Sequence, residues 1–238
     1  MSTTVENNDR TKKIFGLRDV VKVIVVLAVL VALLAGLSGR WDWWAGWAFL
    51  LAFVLFSVLL TLWLARVDPE LVRERNEDGG GRAAAWDKVI IPIMTLLELG
   101  ILVVAALDAG RFNWSVMPPW VQIVGWLAMI PALVIIPWVF KTNTYASSVA
   151  RLQDDREQVV ITGGPYRYLR HPMYAAAGLM ALALPLALGS WWALIPGCLL
   201  AFLFALRATL EDQMLRRGLP GYEAYAQQVH YRLIPGLW

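Results

Sequence analysis

The sequence predicts an all-α, polytopic integral membrane protein with four spanning helices, a C-terminal membrane helical hairpin and a cytoplasmic tail helix. Of its 238 residues, 59% are hydrophobic and 16% are charged, whereas soluble domains carry about a quarter charged residues. Four apolar stretches have the ~20 residues that ~30 Å of hydrocarbon requires. A fifth, longer stretch contains 34 residues without a charge.

The first four spans are predicted at residues 20–38, 43–65, 89–108 and 119–140. A polar segment, residues 1–22, precedes the first span. We interpret this span as a retained helix, because further hydrophobic spans follow it instead of a cleavage site and a soluble domain. The loops between the spans are expected at 39–42, 66–88 and 109–118.

The 66–88 loop has a helix start of its own. Asp68 occupies the position of an N-cap, with Pro69 at the first helical position. The run Gly79-Gly80-Gly81 predicts a flexible hinge. We interpret this loop as a solvated connector helix.

The uncharged stretch from Met173 to Leu206 is too long for one crossing. A continuous helix of this length would measure about 51 Å at ~1.5 Å per residue. Gly189-Ser190 near its middle favours a break, so we predict a helical hairpin with two short arms. Pro185 and Pro196 are expected to bend the arms.

The distribution of Lys and Arg predicts the orientation in the membrane. The tail, the 66–88 loop and the 141–171 segment carry five each and the C-terminal part carries four, whereas the opposite loops hold only Arg40 and Arg111. This asymmetry places both termini and the polar segments in the cytoplasm. Tryptophans at the predicted outer ends form the expected interfacial belt: Trp41, Trp43, Trp44, Trp114, Trp120, Trp191 and Trp192.

Composition also excludes or disfavours several kinds of functional site. The single cysteine, Cys198, excludes an internal disulfide and a cysteine-based zinc or iron–sulfur site, and two distant histidines disfavour a histidine-rich metal centre. The net charge of +3 is spread among loops, unlike a nucleic-acid-binding patch. No glycine-rich nucleotide motif or nucleophile elbow is present.

The segment GGPYRYLRHPMY, residues 163–174, runs directly into the hairpin. Pro172 disfavours helical backbone at His171 and itself has the conformation of a first helical residue. The free N–H groups of such a helix start favour an anion, and Arg167 and Arg170 add positive charge. The same residues also suit an interfacial anchor, and both interpretations stay open here.

The far end of the hairpin carries Arg207 and Glu211, four residues apart on one helix face. Such spacing often marks only a surface ion pair. Because a hairpin brings its ends together, we expect both residues to lie near His171 and Tyr174. Glu98, within the third span, is interpreted as a structural group that bonds a neighbouring helix, with a tunnel-lining role as the alternative.

Together these residues resemble the isoprenylcysteine carboxyl methyltransferase family and the related phospholipid methyltransferases. The resemblance covers roughly the C-terminal half, from NTYASSVARLQDDREQVVITGGPYRYLRHPMY through RATLEDQML to GYEAYAQQVHYRLIP. Its specific element is GPYRYLRHPMY followed by R-x-x-x-E at this distance. The last of these segments is expected to form a helix, with Tyr222 and Tyr225 on one face, packed beneath the site.

The resemblance implies an integral membrane enzyme that uses S-adenosylmethionine without a Rossmann fold. It assigns Arg207 to the acceptor carboxylate and hence to catalysis. Where the family can use a glutamine, this chain has Arg151. The donor-binding residues that the resemblance implies are Gln158, Val159, Val160, Ile161, Tyr166, His171, Pro172, Met173, Tyr174 and Glu211.

On this hypothesis residues 1–140 form the tail and four spans, and residues 141–238 form the catalytic region. The expected partners are membrane lipids and a lipophilic or prenylated substrate from the bilayer, without nucleic acid; no feature specifies an oligomeric state. Alternatives are methylation of a phospholipid amine, which would need a base such as Glu98 or His171, an NADPH-dependent membrane reductase, and a non-enzymatic lipid-binding or scaffold protein.

Overall fold

The computed structural model describes residues 17–76 and 83–238, and every regular element in those ranges is helical. The predicted all-α class is confirmed. The basic residues Arg10, Lys12 and Lys13 and the hinge Gly79–Gly81 lie outside the described residues. The α-helices are α1 Leu17–Ser38, α2 Trp44–Val67, α3 Pro69–Asn76, α4 Asp87–Ala105, α5 Pro119–Thr142, α6 Pro172–Leu188, α7 Leu194–Gly218 and α8 Tyr222–Gln228.

Four of the described helices are long and apolar enough to cross a membrane: α2, α4 with its extension to Phe112, α5 and α7. The described apolar parts of α1 and α6 are shorter. Large apolar side chains cover the outer surface of these helices, among them Leu59, Leu96 and Phe202. A continuous apolar exterior of this kind is typical of a surface that faces lipid.

The hairpin turn lies where the sequence predicts it, but its arms differ in length. Gly189 ends α6 in the left-handed region at φ 84°, and its amide donates to Leu186 O at 3.0 Å. Pro185 lies inside α6, whereas Pro196 lies in the first turn of α7, where its missing N–H removes no helical hydrogen bond. Pro196 therefore does not interrupt α7, which continues for 25 residues.

Small residues let α6 pack closely between α5 and α7. A Cβ added at Gly125 of α5 would clash with the backbone of Ala187, and one at Gly197 of α7 would come within 2.5 Å of Ala181 O. Close backbone approach over small residues is a common way for helices to associate in lipid. The three helices hold the two ends of the hairpin in fixed positions.

A π-helical turn, Ala106–Phe112, extends the third span, so the predicted loop 109–118 begins later than expected. The turn carries Asp108, which is fully buried. Its carboxylate accepts hydrogen bonds from the hydroxyl groups of Ser115 at 2.6 Å and Ser190 at 2.7 Å. This network ties the end of the third span to the hairpin turn.

Six of the seven tryptophans predicted for the interfacial belt are exposed, as such a belt requires. Trp43 is the exception, because only 5% of its surface is exposed. Its ring packs over Gly46 and Gly110, where an added Cβ would clash with or crowd it. Trp43 therefore belongs to the core and not to the interfacial belt.

Helix α3 is not the solvated connector that the sequence indicated. Asp68 does cap it, because its Oδ1 accepts the Leu71 amide hydrogen bond at 2.9 Å. Leu71 and Val72, however, are buried in a cluster with Leu64 and Phe140. The connector is thus packed against the ends of α2 and α5, and it brings Arg75 to the candidate site.

Glu98 does not have the structural role that we expected. Its side chain is exposed on the outside of α4 and forms no hydrogen bond or ion pair with any residue that the structure describes. The helix is rotated so that Ile101 and Leu102 face the core instead. The expectation of a bond to a neighbouring helix is wrong.

Candidate active site

A cavity of about 250 Å³ lies at the end of the bundle where α6 begins and the hairpin closes. Its walls come from α3, from the segment between α5 and α6, from the two arms of the hairpin and from α8. Most of the residues assigned from the resemblance line it: Gln158, Val159, Val160, Ile161, Tyr166, His171, Met173, Tyr174, Arg207 and Glu211. Pro172 is buried and does not line the cavity; it starts α6.

The hairpin brings its two ends together, as predicted. The Tyr174 hydroxyl on α6 donates a hydrogen bond to Oε2 of Glu211 on α7. The guanidinium carbon of Arg207 lies 5.2 Å from the centre of the Tyr174 ring. The His171 ring stacks on the Tyr174 ring, with the ring centres 5.8 Å and the planes 10° apart. Aromatic, acidic and basic groups therefore meet at one point.

Arg207 is held by a carboxylate that the sequence analysis missed. Its Nε and Nη2 donate to the two carboxylate oxygens of Asp87 at 2.8 and 2.9 Å, and Nη2 also donates to Ser148 O at 3.1 Å. Asp87 is fully buried and also accepts the amide of Ala150 at 2.6 Å. The i, i+4 spacing thus produced no ion pair with Glu211, and Arg207 is fixed in a bidentate fork.

Glu211, by contrast, forms no ion pair with a residue that the structure describes. A carboxylate that faces a cavity without such a pair is suited to bind the ammonium or hydroxyl groups of a ligand. S-adenosylmethionine carries both kinds of group. The aromatic faces of His171 and Tyr174 suit its sulfonium in the way that aromatic rings bind other cations. The residues present therefore fit this donor.

Tyr166 links the cavity to the elements beneath it. The side-chain amide of Asn143 donates to its hydroxyl oxygen at 2.7 Å, and the Tyr225 hydroxyl donates to its backbone oxygen at 2.8 Å. Burial raises the pKa of Tyr166, despite the Asn143 hydrogen bond, which favours the phenolate. The phenol therefore stays neutral and keeps its proton to donate.

The predicted position of the tail helix beneath the site is confirmed. Tyr222 and Tyr225 of α8 are both buried, and they pack with Leu215 and Leu219 of the α7 end. The Tyr222 hydroxyl donates to Asp212 at 2.9 Å. Burial, reinforced by the Asp212 charge, raises the pKa of Tyr222. The tail helix α8 therefore forms one wall of the cavity.

Asp212 fixes the turn that precedes α6. Its fully buried carboxylate pairs with Nε of Arg170 at 2.9 Å, and it lies 3.5 Å from Nε2 of His171. The backbone amides of Arg170 and His171 donate to the tail at Tyr231 and Arg232. Arg170 is thus paired with Asp212, whereas Arg167 is exposed and does not line the cavity.

Gly164 has a backbone conformation that constrains the segment GGPYRYLRHPMY. Its φ is +55°, and an added Cβ would clash with Oγ1 of Thr142 and lie 3.0 Å from Nε1 of Trp138. Only glycine fits this close, left-handed position. The turn packs against the end of α5 and sets the direction in which Tyr166 points.

Arg151 lines the cavity, but its charge is already matched. Its Nη2 pairs with Glu74 at 2.8 Å and its Nη1 with Asp155 at 2.7 Å. Burial opposes its charge, yet these two acids raise its pKa overall. Gln153, two residues after Arg151, also lines the cavity. Its buried side-chain amide donates to Tyr145 O at 2.7 Å. No sequence motif pointed to Gln153.

Residues 120–220 match the family model of the phospholipid methyltransferases. The matched region is less than half of the chain, but it contains every residue assigned to the site from the resemblance. No curated protein matches the chain. The match and the long apolar helices support a membrane methyltransferase. The matched family uses S-adenosylmethionine in general, and the match does not distinguish a phospholipid from an isoprenylcysteine as the acceptor.

Proposed function

We propose that this chain is a membrane-embedded, S-adenosylmethionine-dependent methyltransferase whose acceptor is lipophilic and carries a carboxylate, as an isoprenylcysteine does. The observation that carries the proposal is the cluster of Tyr174, Glu211 and Arg207 in one cavity at the base of a membrane hairpin. The cluster lies within the region that matches a methyltransferase family.

The donor would lie against the segment from Gln158 to Ile161 and the start of α6. Glu211 would hold its ammonium or hydroxyl groups, and His171 and Tyr174 would contact the sulfonium. The neutral phenol of Tyr166 would donate a hydrogen bond. When bound, the donor supplies a methyl group on a positively charged sulfur.

The acceptor carboxylate would lie beside Arg207, aligned with the methyl group. One carboxylate oxygen forms a bond to the methyl carbon while the carbon–sulfur bond breaks and its electron pair returns to the sulfur. No proton has to be removed, because the carboxylate is already ionised. Catalysis then comes from alignment and from the exclusion of water around opposite charges that neutralise each other. The bidentate contact with Asp87 keeps Arg207 in place for this alignment.

The position of the cavity suits entry of one substrate from water and of the other from the bilayer. A water-soluble donor would enter from the cytoplasm, the side to which the Lys and Arg distribution assigns this end of the bundle. The hydrophobic tail of the acceptor would enter from the bilayer, past the apolar outer faces of the hairpin. A site at the base of a hairpin lets both substrates reach one point.

Binding of labelled S-adenosylmethionine to detergent-purified protein tests the proposal. Wild-type protein should bind it saturably, and His171→Ala and Glu211→Gln should weaken binding by at least tenfold. Glu70→Gln is the matched control, because Glu70 is exposed on α3 and does not line the cavity. Absence of saturable binding by the wild type, or equal binding by Glu211→Gln and Glu70→Gln, would refute the proposal.

Methylation of a phospholipid amine is the second candidate, and the family match supports it equally. An amine must lose a proton before it attacks, so a base is required. Glu98 does not line the cavity, which leaves His171 and the Tyr174–Glu211 pair as the groups within reach. A rate that falls with decreasing pH through one essential base, measured with a phosphatidylethanolamine acceptor, would favour this candidate.

Ligand-binding measurements distinguish the two remaining alternatives. A reductase predicts that NADPH competes with the bound ligand and that S-adenosylhomocysteine does not. A lipid-binding or scaffold protein predicts that neither cofactor binds. The family match favours the methyltransferase over both.

A further inference from the structure

Four arginines line the cavity, and they differ in how their charges are matched. Three of them have carboxylate partners within 2.9 Å: Arg151 with Glu74 and Asp155, Arg170 with Asp212, and Arg207 with Asp87. The fourth, Arg75, has no carboxylate partner among the residues that the structure describes. Among the cavity arginines that the structure describes, Arg75 is thus the one without a described carboxylate at ion-pair distance.

The contacts of Arg75 hold it in place without neutralising it. Its Nη1 donates to Ala146 O at 2.9 Å, and its guanidinium carbon lies 4.8 Å from the centre of the Phe140 ring. Burial, together with the charge of Arg207, lowers the pKa of Arg75. A guanidinium nevertheless stays charged at physiological pH, so this wall of the cavity keeps a positive charge.

Arg75 and Arg207 are bound to the same loop. Arg75 donates to Ala146 O, and Arg207 donates to Ser148 O two residues further along. Helix α3 is held against this loop by the buried pair of Glu74 with Arg151 at 2.8 Å. The two cations are close enough for the charge of Arg207 to lower the pKa of Arg75, and an anion bound near both would reduce their repulsion.

We propose that Arg75 binds the anionic group of the acceptor, a carboxylate or a phosphate, against the wall that it shares with Arg207. This inference rests on the proposed function and extends it, because it assigns the net positive charge of the acceptor site to α3. Asp87 neutralises Arg207, which orients the anionic group of the acceptor. Arg75 supplies the positive charge that no described carboxylate balances. Arg75 lies outside the region that matches the family model, so the N-terminal part of the chain contributes to acceptor selection.

Acceptor kinetics of Arg75→Gln test the inference. A hydrogen bond to a charged group contributes ~1.5–3 kcal/mol, which corresponds to roughly 10- to 150-fold in affinity. The acceptor KM should therefore rise at least tenfold, while the Kd of S-adenosylmethionine stays within twofold of the wild-type value. Arg66→Gln is the control, because Arg66 is exposed on α2, near α3, and does not line the cavity. Both variants are measured as full-length protein in detergent.

The chemistry of the anion is tested with two acceptor classes. One is an N-acetyl-S-prenylcysteine with a free carboxylate, compared with its carboxamide as a competitive inhibitor. The other is phosphatidylethanolamine in mixed micelles. Wild-type protein and Arg66→Gln should prefer the acid over the amide if the carboxylate is the anion, and Arg75→Gln should lose that preference. If the phosphate is the anion, the KM for phosphatidylethanolamine should rise instead.

Unchanged KM values for both acceptor classes in Arg75→Gln would overturn the inference and leave the proposed function intact, provided that the wild type binds S-adenosylmethionine. Loss of donor binding in Arg75→Gln would also overturn it, because Arg75 would then belong to the donor site. If Arg75→Gln does not fold, Arg75→Met takes its place with the same expected results, since its aliphatic chain keeps the packing on Phe140. No donor binding by the wild type would instead refute the proposed function.

Discussion

The ion pair of Asp87 and Arg207 offers the sharpest test of the candidate site, because it is buried and spans 120 residues of sequence. Asp87 is 0% exposed, and the Arg207 side chain is 10% exposed. Asp87→Asn keeps the shape of the side chain but removes its charge. The amide oxygen can still accept the Ala150 hydrogen bond, whereas the amide nitrogen would face the guanidinium.

Removal of one member of a buried pair costs about 3–5 kcal/mol, because the other charge stays in a poorly solvated place. We therefore expect Asp87→Asn to lower the free energy of unfolding by ~3–5 kcal/mol, roughly 10²- to 10⁴-fold in the unfolding equilibrium. The exposed pair of Arg40 with Asp42 is the matched comparison, with side chains 41% and 79% exposed. Asp42→Asn should cost at most ~1 kcal/mol, because solvent screens such a pair.

Unfolding in mixed detergent micelles, followed by far-ultraviolet circular dichroism as the fraction of sodium dodecyl sulfate increases, measures both costs. The double variant Asp87→Asn with Arg207→Met should recover more than half of the loss, because no charge then remains unpaired. A cost for Asp87→Asn no larger than that for Asp42→Asn would refute the argument. So would a double variant less stable than both single variants.

Three further predictions concern the turn, the hydrogen bond across the hairpin and the buried tyrosines. Gly164→Ala should destabilise the fold by ~1–3 kcal/mol, because alanine is strained at φ +55° and its Cβ clashes with Thr142. Gly36→Ala is the control, since its Cβ would meet nothing within 4 Å, and equal stability of the two variants would contradict the prediction. Tyr174→Phe should weaken S-adenosylmethionine binding about 3- to 10-fold through the loss of the Glu211 contact, whereas Tyr168→Phe at an exposed position should not, as equilibrium binding would report. The free energy of unfolding should fall as the pH rises above about 10. Burial raises the pKa of Tyr166, Tyr222 and Tyr225 above that of an unfolded tyrosine, so the unfolded chain releases protons more readily at such pH. A flat pH profile of unfolding from pH 9 to 11 would count against this prediction.

Local chemistry accounts for the parts of the fold that the sequence predicted well. The cap at Asp68, the helix start at Pro172 and the turn at Gly189 each depend on residues within a few positions of one another. A proline or glycine restricts its own backbone wherever the rest of the chain lies. The prediction that Tyr174 meets Glu211 needed one further step, namely that the ends of a hairpin lie together.

The expectations that proved wrong depend on how helices are rotated and packed. Trp43 has the position of an interfacial residue along the chain, but the small residues Gly46 and Gly110 open a place for its ring in the core. Glu98 was expected to bond a neighbouring helix, yet its side chain lies on the exposed side of α4. Sequence position gives the depth of a residue in a helix bundle but not the direction in which its side chain points.

By itself, the sequence determined the helical class, the hairpin and the residues at its base, because apolar length, proline and glycine act over short distances. Tertiary structure alone decided which charges meet in the cavity. Asp87 and Arg75 come from segments far from Arg207 in the chain, and a short polar loop gives no indication of the partner that it will reach. Pairing of buried charges is set by packing, which joined Arg207 to Asp87 and left Arg75 without a carboxylate partner among the described residues.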